Sequence, residues 1–282
     1  MRLSREEYVE QAHFFQALIE RLDESVTLQD LMSTIRHELL VTTKLPMAVE
    51  FLLVELRHTG CFGTAMKKLA HYFTPFQTYV IQEAEDDRGR FDMRVALAIL
   101  AKEAEYKRDG ASEQGLFLYQ FEALCRNRMN YDKGFAAIAL DPQFDEAWRN
   151  WILTVRRQIG LVDTADLIFV RSRHYFTKRG IAIDDAVTSD SLKSPLFGEQ
   201  EGQIAWATRR KDPLLLFAAL QRQLGYPKVP RQTPADEAPR LLPELVRRME
   251  RVETRLKLLE EDQKGGIDIT KFFAGPDVPN NR

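Results

Sequence analysis

Proline and glycine stand at opposite ends of the same segments in this chain, and that order constrains the fold more than any other feature. Pro46 opens "PMAVEFLLVELRHTG" and Gly60 closes it; Pro213, behind Asp212, opens "PLLLFAALQRQLG" and Gly225 closes it. Proline suits a first helical turn because the N–H it lacks has no intrahelical acceptor there, and glycine suits the exit because it adopts the left-handed cap without a steric cost. Polar caps repeat the pattern elsewhere. Ser4 and Glu7 are spaced as a capping box ahead of Tyr8, Ala12, Phe15, Ile19 and Leu22, whose alternating steps of four and three put them on one helical stripe. Thr27 opens "LQDLMSTIRHELLV", Ser112 caps "EQGLFLYQFEALCRNRM", and "TAMKKLAHYF" stops before Pro75. Val-Ile-Thr-rich runs of strand length joined by Asn-Gly or Asp-Gly turns are absent. The expected fold class is all-α: a stacked helical-hairpin (α-solenoid-like) body with a short C-terminal coiled-coil helix.

The helical texture runs through residues 1–180. Beyond Gly180, "IAIDDAVTSDSLKSPLFGEQEG" is rich in turn formers, so 181–226 reads as an irregular segment followed by a docking helix that meets the body through Leu215, Leu216, Ala219 and Leu220. Four prolines between Pro227 and Pro239 mark 227–240 as an extended linker. A coiled-coil helix over 241–263 and a flexible tail over 264–282, carrying Phe272 and Phe273, complete the chain.

The helix after the linker carries the strongest association signal. Leu242, Leu245, Met249, Val252, Leu256 and Leu259 recur at steps of three and four, which is a heptad seam with these residues at a and d. Arg248 and Arg255 then fall at g, and Glu253 and Glu260 at the following e positions. In a parallel pair each g residue faces the e residue five later on the partner, so both cross-pairs join Arg to Glu. A homo-dimer or homo-trimer is expected.

Charge and cysteine content narrow the chemistry. Forty Lys and Arg against 42 Asp and Glu leave a formal charge of −2, so no global field draws the chain to nucleic acid or an anionic membrane. Cys61 and Cys125 lie in no CxxC pair and are expected as reduced, buried thiols. The N-terminal "MRLSREEYVEQAHFF" is charged where a secretory signal is apolar, and no stretch has the 18 or so apolar residues of a membrane span. A soluble, cytoplasmic protein is expected.

Candidate sites are few. Glu10 with His13, and Glu55 with His58, have the Glu-x-x-His spacing that puts both side chains on one helical face, as in di-iron bundles. Glu10 and His13 fall away from the Tyr8–Phe15–Ile19 stripe and are expected in solvent. Glu55 and His58 lie near Phe51 on a helix that is apolar nearly all round; a buried structural pair is the first reading and a metal or acid–base site the second. No Gly-x-Ser-x-Gly elbow, Walker-type loop or GxGxxG occurs, so no cofactor is expected. A basic stretch does occur. Between Arg149 and Gly180, seven Lys or Arg face two Asp, with Arg156, Arg157, Arg171, Arg173, Lys178 and Arg179 as candidates to hold an anion or RNA beside Tyr175 and Phe176.

"EAWRNWILTVRRQIGLVDTADLIFV" resembles a tetratricopeptide repeat, a resemblance extending over about residues 112–177. Trp148 stands at the repeat's tryptophan position, Trp151 and Val155 on its first-helix packing face, and Ala165 and Phe169 at its second-helix small and aromatic positions. "ALDP" at 139–142 is similar to the end of a preceding repeat. The resemblance implies helical-hairpin stacking with a groove for a partner segment, and Trp148 and Trp151 read as interhelical core.

Taken together these features describe a non-enzymatic scaffold that binds other proteins and associates with itself, with an RNA- or anion-binding protein as the alternative and a metal-dependent enzyme at Glu55 and His58 third. Light scattering on the full chain and on a chain ending at Arg240 tests the seam. The full chain is expected at dimer or trimer mass and the shortened one near monomer mass; a monomer in both cases removes the seam as an association element.

Overall fold

The computed structural model describes residues 2–22, 27–86, 91–180 and 194–231. The seam residues Leu242 to Leu259, the rest of the linker beyond Arg231, and the tail lie outside them. The chain divides into two compact units, Met1–Gln232 and Thr233–Arg282, and the description concerns the first.

Thirteen helices and no strand occur among the described residues, so the fold is all-α. In chain order they are α1 (Arg5–Arg21), α2 (Leu28–Ile35), α3 (Leu45–Thr59), α4 (Phe62–Lys68), α5 (Pro75–Glu85), α6 (Met93–Arg108), α7 (Glu113–Arg126), α8 (Tyr131–Ala139), α9 (Glu146–Gln158), α10 (Thr164–Val170), α11 (Arg173–Arg179), α12 (Glu199–Thr208) and α13 (Pro213–Leu224).

The punctuation read from the sequence works locally. Side chains of Thr27, Ser112, Asp145 and Asp212 each accept a backbone N–H from the first turn of their helix, and Gly60 and Gly225 end theirs at φ 71° and 66°. Each such cap is worth about 1 kcal/mol. At Ser4 only half of the expected capping box forms: the hydroxyl accepts from Glu7 N, but the Glu7 carboxylate turns inward instead of back to the cap. The reciprocal box is at Thr74 and Gln77, ahead of α5.

Glu7 turns inward because other helices need its charge. The N-caps of α3 and α4, Lys44 and Cys61, provide no side-chain acceptor of their own. Glu7 accepts the Lys44 N–H at 2.7 Å and the buried Tyr72 hydroxyl at 2.6 Å, while Glu85 on α5 accepts from Phe62 N and, at 2.8 Å, from Gly63 N at the start of α4. Glu10, expected in solvent, is buried as well and accepts Leu40 N at 2.8 Å; His13 is exposed. Carboxylates on α1 and α5 thus supply acceptors and favourable charge at helix starts that lack both.

Successive helices pack on one another from α1 to α9 and from α10 to α13, but α9 and α10 pack on α8 and α12 and not closely on each other. The hairpin implied by the repeat resemblance is therefore not formed by these two helices. Non-neighbour pairings also depart from a nearest-neighbour stack: α1 lies along α6, α5 meets α8, and α7 meets α13. Trp148 and Trp151 are core, as read, in an aromatic cluster with Phe117 and Phe197; Trp151 lies 4.8 Å from the Phe117 ring and 5.2 Å from that of Phe197. In α13, Leu216, Phe217 and Leu220 are the buried contacts, whereas Leu215 is 53% exposed. The reading mistook the phase by one residue, because three consecutive leucines leave the apolar face ambiguous. After α13 the backbone stays on the body: Tyr226 and Val229 are buried, the Tyr226 hydroxyl donates to Glu122 at 2.8 Å, and the Asn127 amide donates to the Pro230 carbonyl at 3.1 Å.

At the centre lies an ion cluster with no access to water. Lys107 Nζ on α6 is 2.9 Å from Asp141 and 3.2 Å from Glu103, and the Gln120 amide on α7 donates to both carboxylates, at 2.6 Å to Glu103 and 3.2 Å to Asp141. Burial raises the Glu103 carboxyl above its usual range against the opposing pull of Lys107. Burial also works against the Lys107 charge, but Asp141 and Glu103 outweigh it and hold the ammonium above its ordinary value. Replacing Lys107 by Met leaves two facing carboxyls without a counter-charge and is expected to cost about 3–5 kcal/mol near neutral pH. The sign with pH follows from linkage. The Glu103 carboxyl, already raised by burial and deprived of its counter-charge, binds more protons folded than unfolded above the unfolded value of about 4, so the stability of Lys107→Met falls as pH rises through that interval. Urea unfolding at pH 5 and pH 8 checks this: the deficit relative to the parent chain is expected to be larger at pH 8.

Candidate anion groove on helices α10 to α12

Helix α3 does not enclose Glu55 and His58 as a pair. That helix buries Leu45, Ala48, Val49, Leu52, Leu53 and Leu56, and Phe51, the reference for placing Glu55 and His58 inside, is itself 36% exposed. His58 is exposed, and the Glu55 carboxylate pairs with Lys68 of α4, so the expected buried Glu–His pair is not formed. Among the described residues no group of three or more His, Cys, Asp or Glu side chains is gathered closely enough to hold a metal ion.

Nor are both cysteines buried. Cys61 is exposed in the turn between α3 and α4, while Cys125 is largely enclosed, with its thiol pushed up to about 11 by burial.

The basic stretch is dispersed. Arg156 makes a two-pronged contact with Asp132 of α8 at 2.7 Å, Arg149 donates to the Ala139 carbonyl, and Arg157 and Arg173 are exposed. Arg171 is buried, which holds its guanidinium below its usual value. Only Lys178 and Arg179 of the expected set come together with aromatic rings, on a groove of about 290 Å³ lined by Phe169, Tyr175, Lys178, Arg179 and Trp206.

Three helices build this groove. The Ser172 hydroxyl caps α11 by accepting from Tyr175 N, and the Arg171 carbonyl accepts from Leu196 N and Phe197 N, which brings the chain ahead of α12 alongside. His174 Nδ1 lies 2.6 Å from Glu199 at the start of α12, and this bond is the main cause that holds the Glu199 carboxyl below its usual range. Gly202 lets α12 come close, because a Cβ there would collide with Ser172 and His174.

Rings then hold the cations in place. Trp206, 40% exposed, lies 4.7 Å from Phe169; Lys178 Nζ sits 3.3 Å from the centre of its ring and the Arg209 guanidinium 4.3 Å. Arg179 stands 5.0 Å over Tyr175. Contacts of this kind are worth about 0.5–1 kcal/mol each at exposed sites. Arg209 is also paired with Asp166, whereas Lys178 and Arg179 have no carboxylate partner among the described residues. The groove therefore presents two positive charges, fixed by rings, at the edge of an apolar floor.

Trp206 and helix α12 itself were not read from the sequence, which assigned this region to irregular chain. Gly202 in its interior hides the helix, since glycine there costs about 1 kcal/mol relative to alanine, and its N-cap, Gly198, has no side chain to signal a start. The signal that was there is "IAWAT", a compact apolar turn directly ahead of "RRK".

Comparison of the chain with protein-family models, with curated proteins and with solved structures finds no match. No helix among the described residues is long and apolar enough to cross a membrane. Thiol reactivity gives a direct check on the geometry: at pH 7 a maleimide is expected to label Cys61 rapidly and Cys125 only after unfolding, as read by mass spectrometry of the two peptides.

Proposed function

We propose that this chain is a non-enzymatic helical scaffold that binds an acidic segment of a partner protein in the α10–α12 groove and joins copies of itself through the Leu242–Leu259 seam. One observation carries the reading of the groove: Lys178 and Arg179 are pre-positioned over aromatic rings beside an apolar floor and lack a carboxylate partner among the described residues. Fixed cations bind carboxylates with less loss of side-chain entropy than free ones, and the floor of Phe169, Tyr175 and Trp206 has room for a bulky apolar side chain next to the acid. A scaffold that joins copies presents the groove more than once, which raises effective concentration without tightening any single contact.

RNA is the weaker occupant. Binding single strands draws on ring faces open for base stacking, whereas Trp206 already carries Lys178 and Arg209 and packs on Phe169. Arg156 and Arg209, moreover, are paired with Asp132 and Asp166, which among the described residues leaves only Lys178 and Arg179 at the groove, a short footing for a run of phosphates.

Trp206 supplies the test, because Trp148 and Trp151 are buried and it alone of the three is open to solvent. Titration with a short peptide holding several Asp or Glu around one Phe or Leu is expected to shift the tryptophan emission, and Trp206→Phe to abolish the shift. The double variant Lys178→Glu, Arg179→Glu is expected to weaken binding roughly tenfold or more. If the double variant binds the peptide as the parent does, or if single-stranded RNA binds in preference to the peptide at low salt, the acidic-segment reading fails.

A further inference from the structure

Helix α3 is apolar on two sides, and the body covers one. Opposite the buried residues, Met47 is 75% exposed, Val54 48% and Phe51 36%, and His58 is exposed. These four follow steps of four, three and four, so they form one narrow stripe about 18 Å long. A helix that is hydrophobic nearly all round is normally enclosed, and a contiguous apolar stripe left outside marks a surface that meets another molecule.

The flanking charges specify which molecule. With Met47 and Val54 at d and Phe51 and His58 at a, Glu50 and Arg57 fall at g, and Glu55 falls at e beside Ala48. A second α3 laid parallel would set each Glu50 against Glu55 of the other copy, which repels. Laid antiparallel, the two stripes interleave as Phe51 with Val54 of the second copy and Met47 with its His58. The g positions then face each other, so each Glu50 meets the Arg57 of the other copy, twice, by the twofold symmetry. Arg57 is exposed with no acid partner among the described residues, and Glu50 makes only a solvent-facing contact of 3.3 Å with Arg36.

We propose that the outer face of α3 is a self-complementary interface that pairs antiparallel with α3 of a second copy of this chain. The patch is smaller than the surface a standard stable interface buries, so the contact is weak alone and gains from any second point of association between the same copies. It does not depend on the groove reading, since no residue is shared.

The test uses the full chain in a Cys61→Ser background. Phe51→Cys chains mixed with Val54→Cys chains are expected to form the mixed disulfide-linked dimer in clear excess over either like pair. Glu50→Arg, which brings like charges together, is expected to lower the yield roughly tenfold, and Glu50→Arg combined with Arg57→Glu to restore it. Circular dichroism confirms that each surface variant remains helical. No mixed cross-link, like pairs in excess, or failure of the charge exchange to restore the yield overturns the proposal. Light scattering of the same variants separates this outcome from loss of the seam, which would lower the mass of every variant alike, whereas loss of the α3 contact follows the Glu50 and Arg57 substitutions.

Discussion

The ammonium of Lys107 is the constraint that the packing of the body answers to. Held between Glu103 of its own helix and Asp141 in the turn between α8 and α9, and enclosed with Gln120 of α7, it fixes three pieces of backbone at one point. A charge without water has to be matched by groups at hydrogen-bond distance, and these arrive only when α6, α7 and the α8–α9 turn are all in place. The cluster therefore acts less as glue than as a register mark. Apolar contacts between α1 and α6 or among the aromatic residues tolerate small displacements; the distances around Lys107 do not.

The same economy of charge explains what the sequence revealed and what it concealed. Thr27, Ser112 and Asp212 were legible as caps because a cap acts on its own first turn, within three residues, and Pro46, Pro213, Gly60 and Gly225 were legible for the same reason. Glu7 was read as a local capping-box partner and Glu10 as a solvated acid because their actual partners include backbone N–H groups of other elements, 37 and 30 residues away. A helical wheel contains no information about an orphan amide on a neighbouring helix. The all-α class followed from local grammar, whereas the pairings of α1 with α6 and α7 with α13 depend on contacts that no periodicity encodes.

Charge counting along the chain failed in an instructive way at the basic stretch. Six candidate cations span 24 residues of sequence, yet the helices send Arg156 toward Asp132, bury Arg171, and leave Lys178 and Arg179 over rings. The ring beneath Lys178, Trp206, comes from a helix that the interior Gly202 had disguised, and Arg209, over the same ring, is the C-cap of that helix. Composition gave the sign of charge in this region and two of the cations at the groove, Lys178 and Arg179, but not the dispersal of the other four. Glu55 and His58 show the converse: correct spacing on one face, but on a face turned from the core, so among the described residues neither is gathered with further ligands.

The backbone after α13 carries a consequence for anything attached beyond it. With Tyr226 bonded to Glu122, Val229 enclosed and the Pro230 carbonyl held by Asn127, the last described residues are an anchor and not the first links of a tether. The reach of anything attached there is counted from Arg231 and not from Gly225. Shortening a tether by several residues at its root raises the local concentration of whatever it carries and narrows the volume that cargo explores. Loosening Tyr226 from Glu122 would lengthen the leash without inserting a single residue.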